Sequence, residues 1–177
     1  MKLLYGVVGG DDPLPLHAAS LMLHWVNACL VGTLAWRLTR NMRAAALAGA
    51  IFILYPHAVI SVAWPSALNC VLYTTLMLMA LLLYVRISGV ELFAPTATTS
   101  GPRHQMRMPA DARRWPCRRK LVLLFALWAV ALLTRENALL LPVMFVAIDL
   151  TFGGWRHVRL RTPIYAIFAV LGGAFAI

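Results

Sequence analysis

Acidic residues are scarce in this chain. Its 177 residues include 6 Asp and Glu against 16 Lys and Arg, and charged residues of both signs make up 12%. A soluble domain of ordinary composition is about 25% charged and about 45–50% apolar. The chain therefore lacks the polar surface that a water-soluble globule needs. Cysteine is thin as well. Cys29 and Cys70 lie in apolar runs and Cys117 among arginines, with no CxxC and no Cys/His spacing, so neither a disulfide framework nor a zinc site is supported. Regular alternation of apolar and polar residues is missing, which argues against a β-barrel. No signal peptide opens the sequence: "MKLLYGVVGG" is too short and runs into Asp11-Asp12-Pro13.

What is present is apolar length. The chain is 62% hydrophobic, with a mean hydropathy of +0.78. Continuous apolar runs at 16–36, 44–64, 67–86, 121–135, 138–152 and 163–177 predict an all-α fold. That fold is a polytopic transmembrane helical bundle of about six spans, in one domain over 1–177.

The net charge of +10 would suggest nucleic acid on a soluble chain. Here the basic residues cluster between apolar runs without aromatic–basic interleaving, so membrane lipid is the expected partner and nucleic acid is not. Arg37, Arg40 and Arg43 form one cluster, the stretch from Arg86 to Lys120 a second, and Arg156, Arg159 and Arg161 a third. The positive-inside rule places all three in the cytoplasm. Fourteen of the sixteen Lys and Arg residues then fall inside, with only Lys2 and Arg135 outside. Residues 1–15, the Trp64-Pro65-Ser66 turn and the Arg135-Glu136-Asn137 turn fall on the outer side. Residues 88–119, rich in proline and arginine, read as a mobile basic cytoplasmic loop. Within it "RRWPCRRK" reads as a headgroup anchor. The Ala/Arg-rich usage points to a GC-rich bacterial genome, and so to a bacterial inner membrane.

The charges inside "LLTRENALLLP" need an explanation. One helix from 121 to 152 would be about 48 Å long, against a bilayer core of roughly 30 Å. Two spans turning at Arg135–Asn137 fit better, with Asn137 as the cap of the second and Pro142 as a kink within it.

Four constellations are candidates for chemistry. His17, Ser20, His24 and Asn27 are spaced 3, 4 and 3, which puts them within about 80° of one helix face. Such a stripe serves either helix–helix hydrogen bonding or the wall of a substrate groove. Pro56-His57 is either a kink satisfied by neighbours or a site near the outer surface. Arg135-Glu136 is either an interfacial ion pair or a turn whose guanidinium binds phosphate. Adjacent residues on a helix point about 100° apart, so the pair is geometrically poor. Asp11-Asp12 reads as a turn in "GGDDPLP", or as a general base or metal ligand.

Three ordered stretches resemble the polyprenyl-phosphate-sugar-dependent membrane glycosyltransferases of the GT-C class. The likeness is to the branch containing the tetratricopeptide-containing transmembrane mannosyltransferases and their bacterial relatives. "LYGVVGGDDPLPLHAASLMLHWVNACLV" is similar to that branch's loop and His-x-x-Asn-x-x-x-His-x-x-Asn helix, with Ser20 in place of the first Asn. "AAALAGAIFILYPHAVISVAW" resembles its alanine-rich helix with a Pro-His pair and aromatic turn, matched by Pro56, His57 and Trp64. "LWAVALLTRENALLLPVMFVAIDL" resembles its helix–Lys/Arg-Glu–helix element, matched by Arg135, Glu136, Pro142 and Asp149. The likeness covers about residues 3–152. A Glu usual after the Pro-His pair is replaced by Val59 and Ile60, and the charges usual after the aromatic turn are missing from "PSALNCV".

The resemblance implies an inverting transfer of a sugar from a polyprenyl-phosphate donor to an acceptor on the non-cytoplasmic side, as in protein glycosylation. It implies substrate-binding roles for His17, His24, Asn27, His57, Arg135 and Glu136. No cofactor or metal is implied, the lipid-phosphate sugar being the donor substrate. The family's catalytic carboxylate lies in an outer loop upstream of everything matched, so that role is not transferred to Asp11 or Asp12. The chain is accordingly expected to be incomplete at both ends and inactive without that loop. The competing expectation is a non-enzymatic membrane protein, a remnant or a partner subunit. A transporter would place its intramembrane charges near the midplane, whereas Arg135 and Glu136 sit at an edge.

Overall fold

The computed structural model describes residues 14–55, 68–88 and 118–176. Among these residues every element is helical and no strand occurs. The helices are α1 (Leu14–Thr39), α2 (Met42–Leu54), α3 (Leu68–Ser88), α4 (Arg118–Thr134) and α5 (Leu141–Ala176), with a 3-10 turn at Glu136–Leu140 between the last two. Two of them, α1 with 26 residues and α3 with 21, are long and apolar enough to cross a membrane, and α2 is a shorter apolar helix. Large apolar side chains point outward along the bundle, among them Met22, Trp25, Leu47, Leu133 and Val170. In water such a surface would be a liability; against lipid it is solvated.

α1 and α2 form a tight hairpin. The Arg40 amide closes α1 on the Trp36 carbonyl at 2.8 Å. The Asn41 side chain opens α2 by accepting from the amides of Arg43 (2.9 Å) and Ala44 (3.4 Å). The helices then touch backbone to backbone. A Cβ on Gly32 would lie 3.3 Å from the Ala45 carbonyl oxygen, and one on Gly49 3.3 Å from that of Ala28. Ala28 and Gly32, like Ala45 and Gly49, are four residues apart and share a helix face. This is small-residue packing of the kind that lets apolar helices approach without a hydrophobic driving force.

α3 is tied to the middle of α1 by Asn27 Nδ2, which donates to the Val71 carbonyl at 3.0 Å. The main core lies on its far side. Tyr84 stacks on Phe145 at 4.1 Å, Phe125 on Phe168 at 4.4 Å, and Trp128 meets Phe168 edge-on at 4.8 Å. The buried indole of Trp128 donates to the Ala138 carbonyl at 3.0 Å, which anchors the 3-10 turn.

α5 is two arms rather than one rod. Gly154 has φ 68 and ψ −179, a region open to glycine almost alone. A straight helix would hold Asp149 and Arg161 about 18 Å apart; here they are in contact at 2.8 Å. Phe145 faces Phe168, and Leu139 reaches the Gly172 position. The arm 155–176 therefore folds back antiparallel along the arm 141–153. Pro163 sits inside the second arm and cannot donate to the Arg159 carbonyl. The Thr162 hydroxyl donates to that oxygen instead, at 3.0 Å.

Several sequence expectations are corrected. The basic stretch between the last two apolar runs, 153–162, is helical apart from Gly154 rather than a loop, because one glycine suffices for the reversal. The cap at the Arg135–Asn137 turn falls on Arg135 and uses no side chain, so Asn137 is not the cap. Pro142 is the second residue of α5, where its missing amide costs nothing; the bend is at Gly154. The run 44–64 is helical from Met42 to Leu54, and its continuation lies outside the described residues. So do Asp11, Asp12, Pro56, His57, Trp64 and nearly all of 88–119.

Candidate functional site

The stripe on α1 lies inside the bundle. Ser20, His24 and Asn27 are 0%, 8% and 1% exposed, and His17, nearer the N-terminus of α1, is half-buried. A helical spacing of three and four residues aims all of them at one side, and α2 and α3 close over that side. The His24 ring stacks on Phe52 of α2 with centroids 5.2 Å apart. Asn27 spends its amide hydrogen on Val71, but its Oδ1 has no partner, and neither has Ser20 Oγ. Each such buried oxygen costs roughly 1–3 kcal/mol. The helix could have avoided this with alanine or leucine, so the stripe holds acceptors that a hydroxyl-rich ligand or water would satisfy.

Arg135 and Glu136 sit exposed at the turn between α4 and the 3-10 segment. Among the described residues neither forms an ion pair, in keeping with the poor geometry of neighbours in sequence. The Arg135 charge acts on the phenol of Tyr73, which is half-buried on α3. Asn27 touches α3 at Val71, so stripe and arginine reach the same level of that helix. Val71 and Tyr73 are about 200° apart around it, so they reach it from different faces. His57, the remaining expected site residue, lies outside the described residues. Among those described, no three His, Cys, Asp or Glu side chains gather as a metal site.

A third group was not expected from the sequence. At the opposite end of the bundle, Asp149 is fully buried and Arg161 is 15% exposed. Arg161 Nη1 donates to Asp149 Oδ1 at 2.8 Å, to Ser88 Oγ at 2.8 Å and to Tyr84 Oη at 3.2 Å, while Nη2 donates to the Ser88 carbonyl at 3.0 Å. Tyr165 donates to Asp149 Oδ2 at 2.6 Å. Its proton is thereby used, so Tyr84 must be the donor in the 2.7 Å contact between the two phenols. The network is closed, and every hydroxyl has a direction. Its location at Ser88, the last residue of α3, is an end of the bundle rather than its middle. A signal did exist: Asp149 is the lone acid in an apolar run, and such a residue needs a named partner. That partner is twelve positions away and becomes visible only once the helix reverses.

Comparisons with models of known protein families, with characterised proteins and with solved structures return no match.

Proposed function

We propose that this chain is an integral membrane protein with six spans, α5 supplying two of them, and that it belongs with glycosyltransferases using a polyprenyl-phosphate sugar. In this reading the membrane is a bacterial inner membrane, and the basic ends of the helices face the cytoplasm. The observation that carries the proposal is the pair of partnerless buried oxygens, Ser20 Oγ and Asn27 Oδ1, beside His24 in an otherwise apolar bundle. Acceptors without donors suit sugar hydroxyls, and Arg135, unpaired at the outer turn, suits the donor's phosphate. A donor using both would lie across the outer end of α3. The described acids are Glu136 and Asp149. Asp149 is engaged by Arg161 and Tyr165, so it is no base for the acceptor. That observation favours a second reading, in which the chain binds such a lipid without transferring its sugar.

Protection of the purified chain against thermal unfolding by a polyprenyl-phosphate sugar tests the proposal. Arg135→Ala should weaken the apparent affinity by about tenfold, the worth of one charge-assisted contact, and Arg135→Lys by less. Equal protection by the bare polyprenol would sink the phosphate assignment. Binding without turnover of an added acceptor would select the second reading.

A further inference from the structure

We propose that the end of the bundle at Ser88 is a docking surface for anionic phospholipid, made by Arg86, Arg118, Arg119, Lys120 and Arg159 beside Trp155. The inference needs the membrane reading above but not glycosyl transfer.

Its first support is register, because these cations come from three helices. Phe125 stacks on Phe168 at 4.4 Å, and a Cβ on Gly172 would meet the Trp128 ring at 3.6 Å. Both pairs ascend together, so α4 lies parallel to the second arm of α5. Seven residues back from Phe125 and Phe168, about two helical turns, are Arg118 and Arg161. The first turn of α4 is therefore level with the Asp149–Arg161 pair. Ser88 joins that level, its carbonyl accepting from Arg161 Nη2 at 3.0 Å. Arg86 lies two residues before Ser88 on α3, and Arg159 two residues before Arg161.

The second support is the missing counter-charge. All five side chains are exposed, and among the described residues none of the five cationic groups has a partner. The described acids are Glu136, at the far turn, and Asp149, which is buried against Arg161. Arg118, Arg119 and Lys120 fill the first turn of α4 with no acid among them. A helix start opposes cations and favours an anion, through its free amides and its dipole. The five cations also repel one another. An anion shared between them relieves both costs.

The third support fixes the kind of anion. Trp155 opens the second arm of α5 and is 65% exposed. Arg159 stands four residues on, on the same helix face. An indole beside a cation at the end of a bundle belongs to the headgroup level of a membrane. Apolar surface starts at once beyond the cations, with exposed Val122 and Leu123 after Lys120 and exposed Leu160 after Arg159. The completed network ties Tyr84 and Ser88 of α3 to both arms of α5, so the cations stand on a fixed frame. A soluble anion gains from the cations alone. A phospholipid gains from them through its phosphate and from the indole and aliphatic side chains through its tails, which selects the lipid.

The test uses the full chain in a neutral detergent, titrated separately with phosphatidylglycerol, phosphatidylcholine and inorganic tripolyphosphate, with thermal stabilisation as the readout. Phosphatidylglycerol should stabilise at lower concentration than phosphatidylcholine, and added salt should weaken its effect. Arg86→Gln should need about fivefold more phosphatidylglycerol, the worth of one basic side chain near an anionic surface. Arg118→Gln with Arg119→Gln and Lys120→Gln should need the most. Without lipid that triple variant should unfold at no lower temperature than the parent, because α4 loses cations that its dipole opposes. Arg118→Lys with Arg119→Lys keeps the charge and should keep most of the response. Equal stabilisation by the two phospholipids would overturn the proposal, and so would an unchanged phosphatidylglycerol response in Arg86→Gln. Equal stabilisation by tripolyphosphate would make this a site for soluble polyanions and overturn the lipid assignment. Release of the chain from membranes by alkaline carbonate would sink the membrane reading too; retention with equal responses to the two phospholipids would sink this proposal alone.

Discussion

The end of the bundle at the C-terminus of α3 buries Asp149, Tyr84, Tyr165 and Ser88 around Arg161, and the middle of α1 buries Ser20, His24 and Asn27. In the first group every hydroxyl and both carboxylate oxygens have a partner, and one hydroxyl serves the next. In the second, two oxygens are left without donors. Both groups stand in the same apolar surroundings, where a polar atom is tolerated only when its bonding is complete. A completed network holds helices in place and has no capacity left for a ligand. An incomplete one destabilises the empty protein and keeps that capacity. The comparison fits fixation by the Asp149–Arg161 group and is the basis of the recognition role proposed for the stripe.

The largest effect expected comes from breaking the completed side. Asp149→Leu leaves Arg161 largely buried without its anion, and thermal unfolding should register a loss of roughly 3–5 kcal/mol. Adding Arg161→Leu should restore most of it, since a buried pair replaced by apolar groups is often neutral. A single variant as stable as the parent would show that the network fixes nothing. Gly154→Ala removes the reversal that assembles the same network. Nothing lies within 4 Å of the added Cβ, so its cost, about 1–3 kcal/mol, is that of the glycine-only backbone region. Gly49→Leu acts on the other side. It forces α2 away from the Ala28 carbonyl, should cost about 1–3 kcal/mol by overpacking, and should separate Phe52 from His24. Faster modification of His24 by diethylpyrocarbonate would report that separation; an unchanged rate would mean that α2 does not cover the stripe.

The sequence made the helical class legible because apolar runs of this length and continuity have few other uses. It also made the stripe legible, since spacings of 3, 4 and 3 describe one face whatever the tertiary fold. The Asp149–Arg161 network stayed hidden for a definite reason. Arg159 and Arg161 look like loop residues when a basic run follows Gly153-Gly154, and neither apolar periodicity nor charge counting reveals that the second arm begins immediately after the glycine. Asn137 has the residue type of a cap, but the 3-10 turn starts two residues too early for it. Pro142 looked like a kink because a proline within an apolar run has no visible register until the helix start at Leu141 is known.

The recognition role of the stripe is tested most directly by Ser20→Ala in the full chain, with two readouts on one sample. Ser20 is fully buried, and its hydroxyl oxygen has no partner. Removing it should raise the stability of the ligand-free protein by about 1 kcal/mol, the lower range for an unsatisfied buried group. It should also reduce protection by a polyprenyl-phosphate sugar. A more stable protein that binds a polyprenyl-phosphate sugar less well is the predicted result. A less stable protein, or one whose protection by the donor is unchanged, would contradict the assignment of the stripe to substrate.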